Sequence, residues 1–303
     1  MENVLGVMLN VIAPLVLVVG AGALIGRVFT IDARSLSTLI IYIFTPSLIF
    51  GSMAETDVQA DEILRILIMV LIIASVMTVV AVLLARLLTL ERRTEAAFLI
   101  AVVLVNAGNF GIPLSEFAFG EAGMQRGVVI YVAWAMISST FGVFLASRGA
   151  AGVRASLRRV LTVPLAYAMV FGLAFNFTNT PLPLPIERAV GLLGGAAVPG
   201  MLVLLGMQLS RAEVRGRLKP IFAATGARLL LAPLLALGLT TLVGLNGLTQ
   251  QVAIVQSSMP SAVISGVLTT QFDGDGEFAT AVIAFSTLAS LVTLTILLTL
   301  MGV

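Results

Sequence analysis

Uncharged polar side chains cluster around two prolines in the middle of apolar stretches. The stretch LVNAGNFGIPLSEF places Asn106 and Asn109 shortly before Pro113. The stretch QSSMPSAVIS surrounds Pro260 with Gln and Ser. Amide and hydroxyl groups donate hydrogen bonds to a carboxylate without carrying a charge themselves. These residue types therefore predict the binding of a small organic anion.

The composition excludes most catalytic and metal-binding chemistry. The 303 residues include no Cys and no His, which removes disulfides, thiol chemistry and the usual zinc, haem and Ser–His sites. Only 11% of the residues are charged and 59% are apolar, whereas soluble proteins carry about 25% charged residues. We expect an integral membrane protein whose surroundings are the lipid bilayer. The net charge of +2 does not indicate nucleic-acid binding, and we expect no cofactor and no metal.

Ten apolar runs are each close to the ~20 residues that a bilayer requires. They predict an all-α integral membrane protein of ten transmembrane helices joined by short links, with no soluble domain and no cleaved signal. The predicted spans 1 to 10 lie at about 4–26, 35–54, 63–86, 96–118, 126–147, 160–177, 187–209, 219–243, 249–271 and 278–301.

Two pairs of prolines recur about 150 residues apart, which indicates an internal duplication. Pro46 in span 2 corresponds to Pro199 in span 7, and Pro113 in span 4 corresponds to Pro260 in span 9. The predicted units are residues 1–150 and 151–303. Because each unit has five spans, the second enters the membrane inverted, and interrupted helices in matching positions of inverted repeats indicate a transporter's substrate site.

The residues around the two prolines predict that spans 4 and 9 are broken and cross each other. Proline removes a backbone N–H, and non-helical backbone in the bilayer is tolerated where it is buried or lines a wet cavity. We expect new half-helices to start near Gly111–Leu114 and Met259–Ser261, with amino ends that attract an anion. Phe110 and Ile264 are expected to support its apolar body. The predicted substrate-binding residues are Asn106, Asn109, Phe110, Gly111, Pro113, Gln256, Ser257, Ser258, Pro260, Ser261 and Ile264.

The basic residues of the links predict the orientation in the membrane. If the amino terminus is outside, thirteen Lys and Arg fall on cytoplasmic links, and three (Arg65, Arg126 and Arg188) fall on the opposite side. Cytoplasmic links of membrane proteins are enriched in Lys and Arg. We therefore expect a multi-pass protein of the cell membrane with both termini extracytoplasmic.

Two charged residues within spans have more than one interpretation. Arg228 in span 8 either extends its side chain to the membrane surface or serves in substrate attraction or in locking a domain. Glu116 either titrates as a proton-coupling group or is a hydrated residue near the outer mouth. Gly22 and Gly26 in GAGALIG predict a small-residue packing face inside span 1, because the dinucleotide fingerprint requires a third Gly where Ile25 stands.

The segments NAGNFGIPL and MPSAVISGVLTTQF resemble the auxin efflux carrier family, within the bile-acid and arsenite transporter superfamily. Plant auxin carriers share an Asn followed, after four residues, by Gly-Ile-Pro-Leu. In this sequence the matching residues are Asn106, Gly111, Ile112, Pro113 and Leu114. The short basic link between spans 5 and 6, in place of the long hydrophilic loop of the plant carriers, is typical of a prokaryotic member.

The resemblance implies a homodimeric elevator-type carrier. Spans 1, 2, 6 and 7 would form a scaffold, and spans 3–5 and 8–10 would form a transport domain with the broken helices at its centre. Bacterial relatives, which often carry small dicarboxylates such as malate or malonate, often have an Asn four residues after the span-9 proline. Ile264 stands there in this chain, so the resemblance does not identify the substrate.

Other classes of protein fit the residues less well. A cation–proton antiporter has a similar crossed-helix fold and is the alternative, but it is expected to place Asp or Lys near the crossing, where this chain has Asn, Ser and Gln. An intramembrane enzyme needs a nucleophile with a base, or paired Asp, and a receptor normally has a signalling domain. We therefore expect a secondary transporter and no enzyme. Its driving force is either the membrane potential or sodium bound by backbone carbonyls.

Overall fold

The computed structural model describes residues 2–146, 164–178, 180–210, 212 and 218–303, and these residues are almost entirely helical. The helices of the described residues are α1 Val4–Val28, α2 Ala33–Ala54, α3 Ala60–Leu87, α4 Arg92–Val103, α5 Ala107–Leu145, α6 Pro164–Phe177, α7 Leu184–Ser210, α8 Leu218–Leu242, α9 Gly247–Ser257, α10 Ile264–Gln271 and α11 Gly276–Leu300. Seven basic residues used in the prediction of orientation lie outside the described residues: Arg148, Arg154, Arg158, Arg159, Arg211, Arg215 and Arg217.

Seven of the described helices are long and apolar enough to cross a membrane, namely α1, α2, α3, α5, α7, α8 and α11. The all-helical class is therefore as predicted, whereas the described residues form seven helices of this length and not ten uninterrupted spans. The regions of spans 4 and 9 are divided into pieces. Helices α4 and α9 have 12 and 11 residues, or about 18 and 17 Å at 1.5 Å per residue. Both lengths fall short of the ~30 Å hydrocarbon core.

Helix α5 contains the second half of span 4 and most of span 5. Gly120 interrupts this helix with a backbone conformation of φ 67° and ψ −162°. Glycine adopts positive φ without the steric penalty that a Cβ imposes. The interruption separates the region around Pro113 from the second half of α5, close to the boundary predicted between spans 4 and 5.

Prolines widen the helices where the sequence predicted breaks. Pro113 lies directly after a π-helical turn, Ala107–Gly111, and Pro46 follows a similar turn, Ile40–Phe44. A proline ring clashes with the carbonyl of the preceding turn, and a π turn is a wider turn that leaves room for it. The α-helical part of α5 starts at Ile112, within the predicted Gly111–Leu114, and the π turn before it extends the helix back to Ala107.

Two helix pairs pack with their backbones in close contact. A Cβ at Gly22 of α1 would lie 2.3 Å from the Val203 carbonyl oxygen of α7, and a Cβ at Gly206 would lie 2.0 Å from the Val19 carbonyl oxygen. Gly26 also faces α7, so the predicted small-residue packing face is confirmed. Helices α2 and α6 form the second pair.

Most of the other helices pack on one another around the two interrupted regions. Helix α5 contacts α3 and α9, while α11 contacts α4, α8 and α10. The side chains between them are largely apolar and fully buried, as Phe98 and Ile100 of α4 illustrate. This packing holds the carboxyl ends of α4 and α9 and the starts of α5 and α10 at one place inside the protein.

The link between α2 and α3 is attached to helices on both sides. Asn176 of α6 donates from Nδ2 to the carbonyl oxygens of Ala54 and Thr56, at 3.1 and 3.0 Å. Arg126 of α5 donates to Asp57 at 3.0 Å, and its guanidinium is largely buried. The link therefore connects α6 with α5 through polar contacts.

Candidate functional site

The two interrupted regions meet as a short antiparallel pair of extended segments. Val105 and Ser261 form a β-bridge. The Asn106 N–H donates to the Pro260 carbonyl oxygen, and the Ala262 N–H donates to the Leu104 carbonyl oxygen, both at 2.9 Å. Because these groups lack helical partners and cannot reach water, each segment supplies the hydrogen bonds that the other needs.

The last backbone carbonyls of α4 accept hydrogen bonds from side chains of other segments. The Ser261 hydroxyl donates to the Ala101 carbonyl oxygen at 2.6 Å. Arg228 of α8 donates from Nη1 to the carbonyl oxygens of Val102 and Val103, at 3.3 and 3.4 Å. The last carbonyls of a helix have no intrahelical partner, so side chains from α8 and from the second segment take that place.

Two helices begin at the crossing. Helix α5 starts at Ala107, with Asn106 at the N-cap position, and α10 starts at Ile264 after Val263. The prediction that the second half-helix starts at Met259–Ser261 is wrong, because this part of the backbone is extended and pairs with the first segment. The first N–H groups of a helix are unpaired and carry about half a positive charge.

A cavity of about 250 Å³ lies where these helices begin. Its volume is just below the range of roughly 300–1,000 Å³ typical of small-molecule sites. None of its lining residues is charged. They are Ser37, Ile40, Ile41, Val105, Asn106, Gly108, Asn109, Tyr131, Trp134, Ala135, Ser138, Ser139, Leu165, Leu204, Gln208, Ala262, Val263, Ile264 and Val267.

Three of the lining residues have a buried polar atom without a hydrogen-bond partner. These atoms are Nδ2 of Asn106, Nε1 of Trp134 and Oε1 of Gln208. Leaving one buried polar group unpaired costs about 1–3 kcal/mol, and such groups are rare in folded proteins. Two donors and one acceptor without partners therefore belong to residues that line one cavity.

The structure brings three of the predicted substrate-binding residues to this cavity, namely Asn106, Asn109 and Ile264. Phe110 is instead buried in the apolar core, and Pro260 offers its carbonyl oxygen to Asn106. The other predicted residues are also outside the lining of the cavity: Gly111, Pro113, Gln256, Ser257, Ser258 and Ser261.

The predicted donors outside the lining have protein partners. The hydroxyls of Ser257 and Ser258 donate to carbonyls of their own helix, each at 2.7 Å. Gln256 donates from Nε2 to the Ser115 hydroxyl at 3.1 Å. A Cβ at Gly111 would lie 2.2 Å from Oε1 of Gln256, so this glycine allows the Gln256 side chain to pack against α5. These residues build the crossing, and they do not face the cavity.

The two charged candidates also lie outside the lining of the cavity. Glu116 is half-buried in α5, two turns after the start of that helix. Arg228 is 0% exposed and bonds to backbone carbonyls, so the interpretation that it extends to the membrane surface is wrong. The crossing provides acceptors for Nη1 and Nη2 of this buried guanidinium, whereas Nε has no hydrogen-bond partner.

Sequence reasoning missed the aromatic side of the cavity. Trp134 and Tyr131 lie one turn apart on α5. A Cβ at Gly108 would lie 2.6 Å from Cε2 of Tyr131, so this glycine allows the ring to approach the crossing. A signal was present, because Trp134 is the one Trp of the chain and is followed by Ser138 and Ser139.

A second, larger depression of about 770 Å³ is less suited to an anion. It lies where the α4 start meets the link between α10 and α11. Its charged lining residues are Glu91, Arg93, Asp273, Asp275 and Glu277. With four acidic side chains against one basic side chain, its electrostatic potential disfavours an anion.

Comparison with known proteins identifies transporters. The profile of the family described as Membrane transport protein matches residues 7–298. An uncharacterized transporter of Methanothermobacter thermautotrophicus is 30% identical over 265 residues, which cover 87% of each chain. A protein of Rhizobium meliloti named "Putative malonate transporter" is 28% identical over 276 residues, 87% of this chain and 85% of that protein.

A plant protein is similar over a shorter region. Auxin efflux carrier component 1 of Arabidopsis thaliana is 23% identical over 141 residues. The alignment covers 44% of this chain and 22% of the plant protein. The resemblance found in the sequence motifs thus extends to an alignment with a plant carrier.

Proposed function

Because the chain belongs to the membrane transport protein family, which includes the auxin efflux carriers, we propose that it is a secondary transporter of small organic anions. The observation that carries this proposal is the set of three unpartnered polar atoms at the cavity beside the crossing. The names of two relatives, which refer to malonate and to auxin, agree with an anionic substrate.

The substrate's carboxylate binds at the starts of α5 and α10. The candidate donors are Nδ2 of Asn106 and Nε1 of Trp134, which have no partner in the protein. The side-chain amide of Asn109 is a third donor. Neutral donors and helix amino ends favour a negative charge without fixing it as tightly as Arg or Lys would. Such moderate binding suits a carrier, which must also release its substrate.

The apolar body of the substrate rests on the aliphatic and aromatic lining. Ile264 and Val267 lie on α10, and Tyr131 lies opposite them on α5. Oε1 of Gln208, an acceptor without a donor, favours a substrate that also carries an O–H or N–H group. A hydroxy acid, a singly protonated dicarboxylic acid and an aromatic acid with a ring N–H all meet this requirement.

We propose alternating access of the elevator type. The cavity lies between the crossing and side chains of α2, α6 and α7, which would be the boundary between transport domain and scaffold. The pairing of α1 with α7 and of α2 with α6 is what an inverted repeat would produce, since spans 1 and 2 of one unit correspond to spans 6 and 7 of the other. In this proposal the scaffold also forms the homodimer.

The membrane potential is the driving force most compatible with the cavity. No charged side chain is among its lining residues, so the charge that crosses the membrane is that of the anion itself. Moving one elementary charge through a potential of 100 mV changes the free energy by about 2.3 kcal/mol. The proposal places the protein in a cytoplasmic membrane with both termini outside. An antiporter of cations and protons would need an ionisable group at this place.

Transport by purified protein in liposomes tests the proposal. Uptake of labelled malonate, malate, lactate and indole-3-acetate is measured with imposed potential, proton and sodium gradients in turn. We expect saturable uptake of at least one of these anions, with a rate that follows the potential. Proton or sodium flux without uptake of any carboxylate would contradict the proposal and favour the antiporter.

A further inference from the structure

Arg228 lies outside the lining of the cavity and contacts both interrupted regions. It belongs to the π turn Ala227–Leu231 of α8 and is fully buried. Nη1 donates to the carbonyl oxygens of Val102 and Val103, and Nη2 donates to the Ser257 carbonyl oxygen. One side chain therefore joins the end of α4 to the end of α9.

The three acceptors belong to the most negative part of each helix. Val103 is the last residue of α4, and Ser257 is the last residue of α9. Each helix carboxyl end carries about half a negative charge, so the two ends together amount to about one negative charge. A guanidinium remains protonated in proteins and supplies one positive charge. The charges therefore balance inside a region that water does not reach.

Carriers with interrupted helices commonly use this kind of place for a coupling ion. Carboxyl ends of half-helices and unwound backbone carbonyls coordinate Na⁺ in such folds, while the amino ends face an anionic substrate. Both features occur here, but the guanidinium already contacts the carbonyls on the carboxyl side. The described residues also contain no cluster of acidic side chains that could hold a metal ion.

We infer that Arg228 is a built-in counterpart of a coupling cation: it fills the position between the ends of α4 and α9 where a free Na⁺ would bind. Arg228 is thus a positioning residue, which holds the crossing and through it Asn106 at the substrate cavity. The inference rests on the proposed function in one respect, since it predicts that anion transport does not require Na⁺ or K⁺. A mobile ion leaves its site during a transport cycle, whereas a tethered cation remains in both states.

The first test uses the wild-type protein and does not depend on transport. Thermal unfolding of the purified protein is followed in NaCl, KCl and choline chloride at equal ionic strength. A ligand that binds the folded state raises the unfolding temperature with its concentration. We expect no difference among the three salts. A saturable increase specific to Na⁺ would show that a free sodium site exists and would overturn the inference.

The second test removes the guanidinium. We expect Arg228→Ala to unfold at a lower temperature in choline chloride and to be stabilised again by Na⁺ or by millimolar guanidinium, and Arg228→Lys to retain most of the wild-type behaviour. Malonate uptake by Arg228→Ala should fall about tenfold or more in choline, a factor that corresponds to 1.4 kcal/mol, and recover with guanidinium. Arg188→Ala, which removes an exposed arginine of α7, is the control without any response.

The outcomes separate this inference from the proposed function. If Arg228→Ala folds and neither its stability nor its uptake responds to Na⁺ or guanidinium, the inference is wrong. If Arg228→Ala does not fold, the inference is tested by the unfolding temperatures of the wild type in the three salts and by the stability and uptake of Arg228→Lys. If the wild type takes up none of the four carboxylates, the proposed function fails, while the unfolding temperatures still test the role of Arg228.

Discussion

Asn106→Ala should weaken substrate binding without weakening the fold. Nδ2 of Asn106 is buried and unpartnered, and its side chain makes no capping hydrogen bond to α5. A hydrogen bond to a charged group contributes about 1.5–3 kcal/mol, so its loss should weaken apparent affinity about 10- to 150-fold. Removing an unpaired buried donor does not cost stability, and the unfolding temperature without substrate should stay equal or rise.

Two measurements on the same purified protein check this prediction. Saturation curves for labelled malonate uptake in liposomes give the apparent affinity, and thermal unfolding without substrate gives the stability. Ser258→Ala is the matched control, because its hydroxyl is buried beside the crossing but donates to its own helix. Unchanged affinity in Asn106→Ala, or a loss of uptake that merely parallels a lower unfolding temperature, would refute the assignment of Asn106. Asn109→Ala should change affinity in the same direction and leave folding intact.

Two further predictions concern the fold. Gly22→Ala should destabilise the protein by about 1–3 kcal/mol, because its Cβ would lie 2.3 Å from the Val203 carbonyl oxygen. The control is Gly20→Ala in the same helix, whose Cβ would meet nothing within 4 Å. Equal unfolding temperatures for the two variants would contradict the close packing of α1 on α7. The Ser35 hydroxyl lowers the pKa of Asp32 below its ordinary value of 3.8, so the contribution of Asp32 to stability is present above that value and is lost as the pH falls through the lowered pKa. Ser35→Ala should raise this pKa toward 3.8, as measured by the titration of the Asp32 carboxyl in an NMR spectrum.

The sequence was sufficient for the all-helical membrane class of the fold, and it singled out two residues, Asn106 and Asn109, that line the candidate cavity. Apolar runs near bilayer length indicate membrane helices because the hydrophobic requirement is local. The stretch from Asn106 to Asn109 is at the cavity, as predicted from the uncharged donors near Pro113. The family assignment rested on the same few residues, and the match to residues 7–298 confirms it.

The position of the break could not be read from proline alone. The half-helix was expected to start near Gly111–Leu114, but a π turn before Pro113 extends it back to Ala107. The true interruption, at Leu104–Asn106, contains no Pro or Gly. It exists because the distant segment around Pro260 and Ser261 supplies its hydrogen bonds, and a contact between positions so far apart leaves no local pattern.

The opposite wall of the cavity was also beyond local reasoning. Trp134 and Gln208 lie on different helices, so the sequence singles out Trp134 as the one Trp but does not place it beside Gln208. Their shared property, a polar atom without a partner, arises only when α5 and α7 are packed. Arg228 is similar, since its acceptors are carbonyls of two other helices, and carbonyls are present in every residue.

The pairing of Val105 with Ser261 also constrains how the protein can be made. The first interrupted segment enters the membrane long before its partner has been synthesised, and translation proceeds at about 5–20 residues per second. The roughly 150 residues between them therefore take about 8–30 s. For most of that interval the carbonyls at the end of α4 have neither Arg228 nor Ser261 as donors. A ribosome-bound chain that stops before α9 should consequently hold this segment outside the hydrocarbon core or against a chaperone of the insertion machinery, and the native crossing should form only as the last helices arrive.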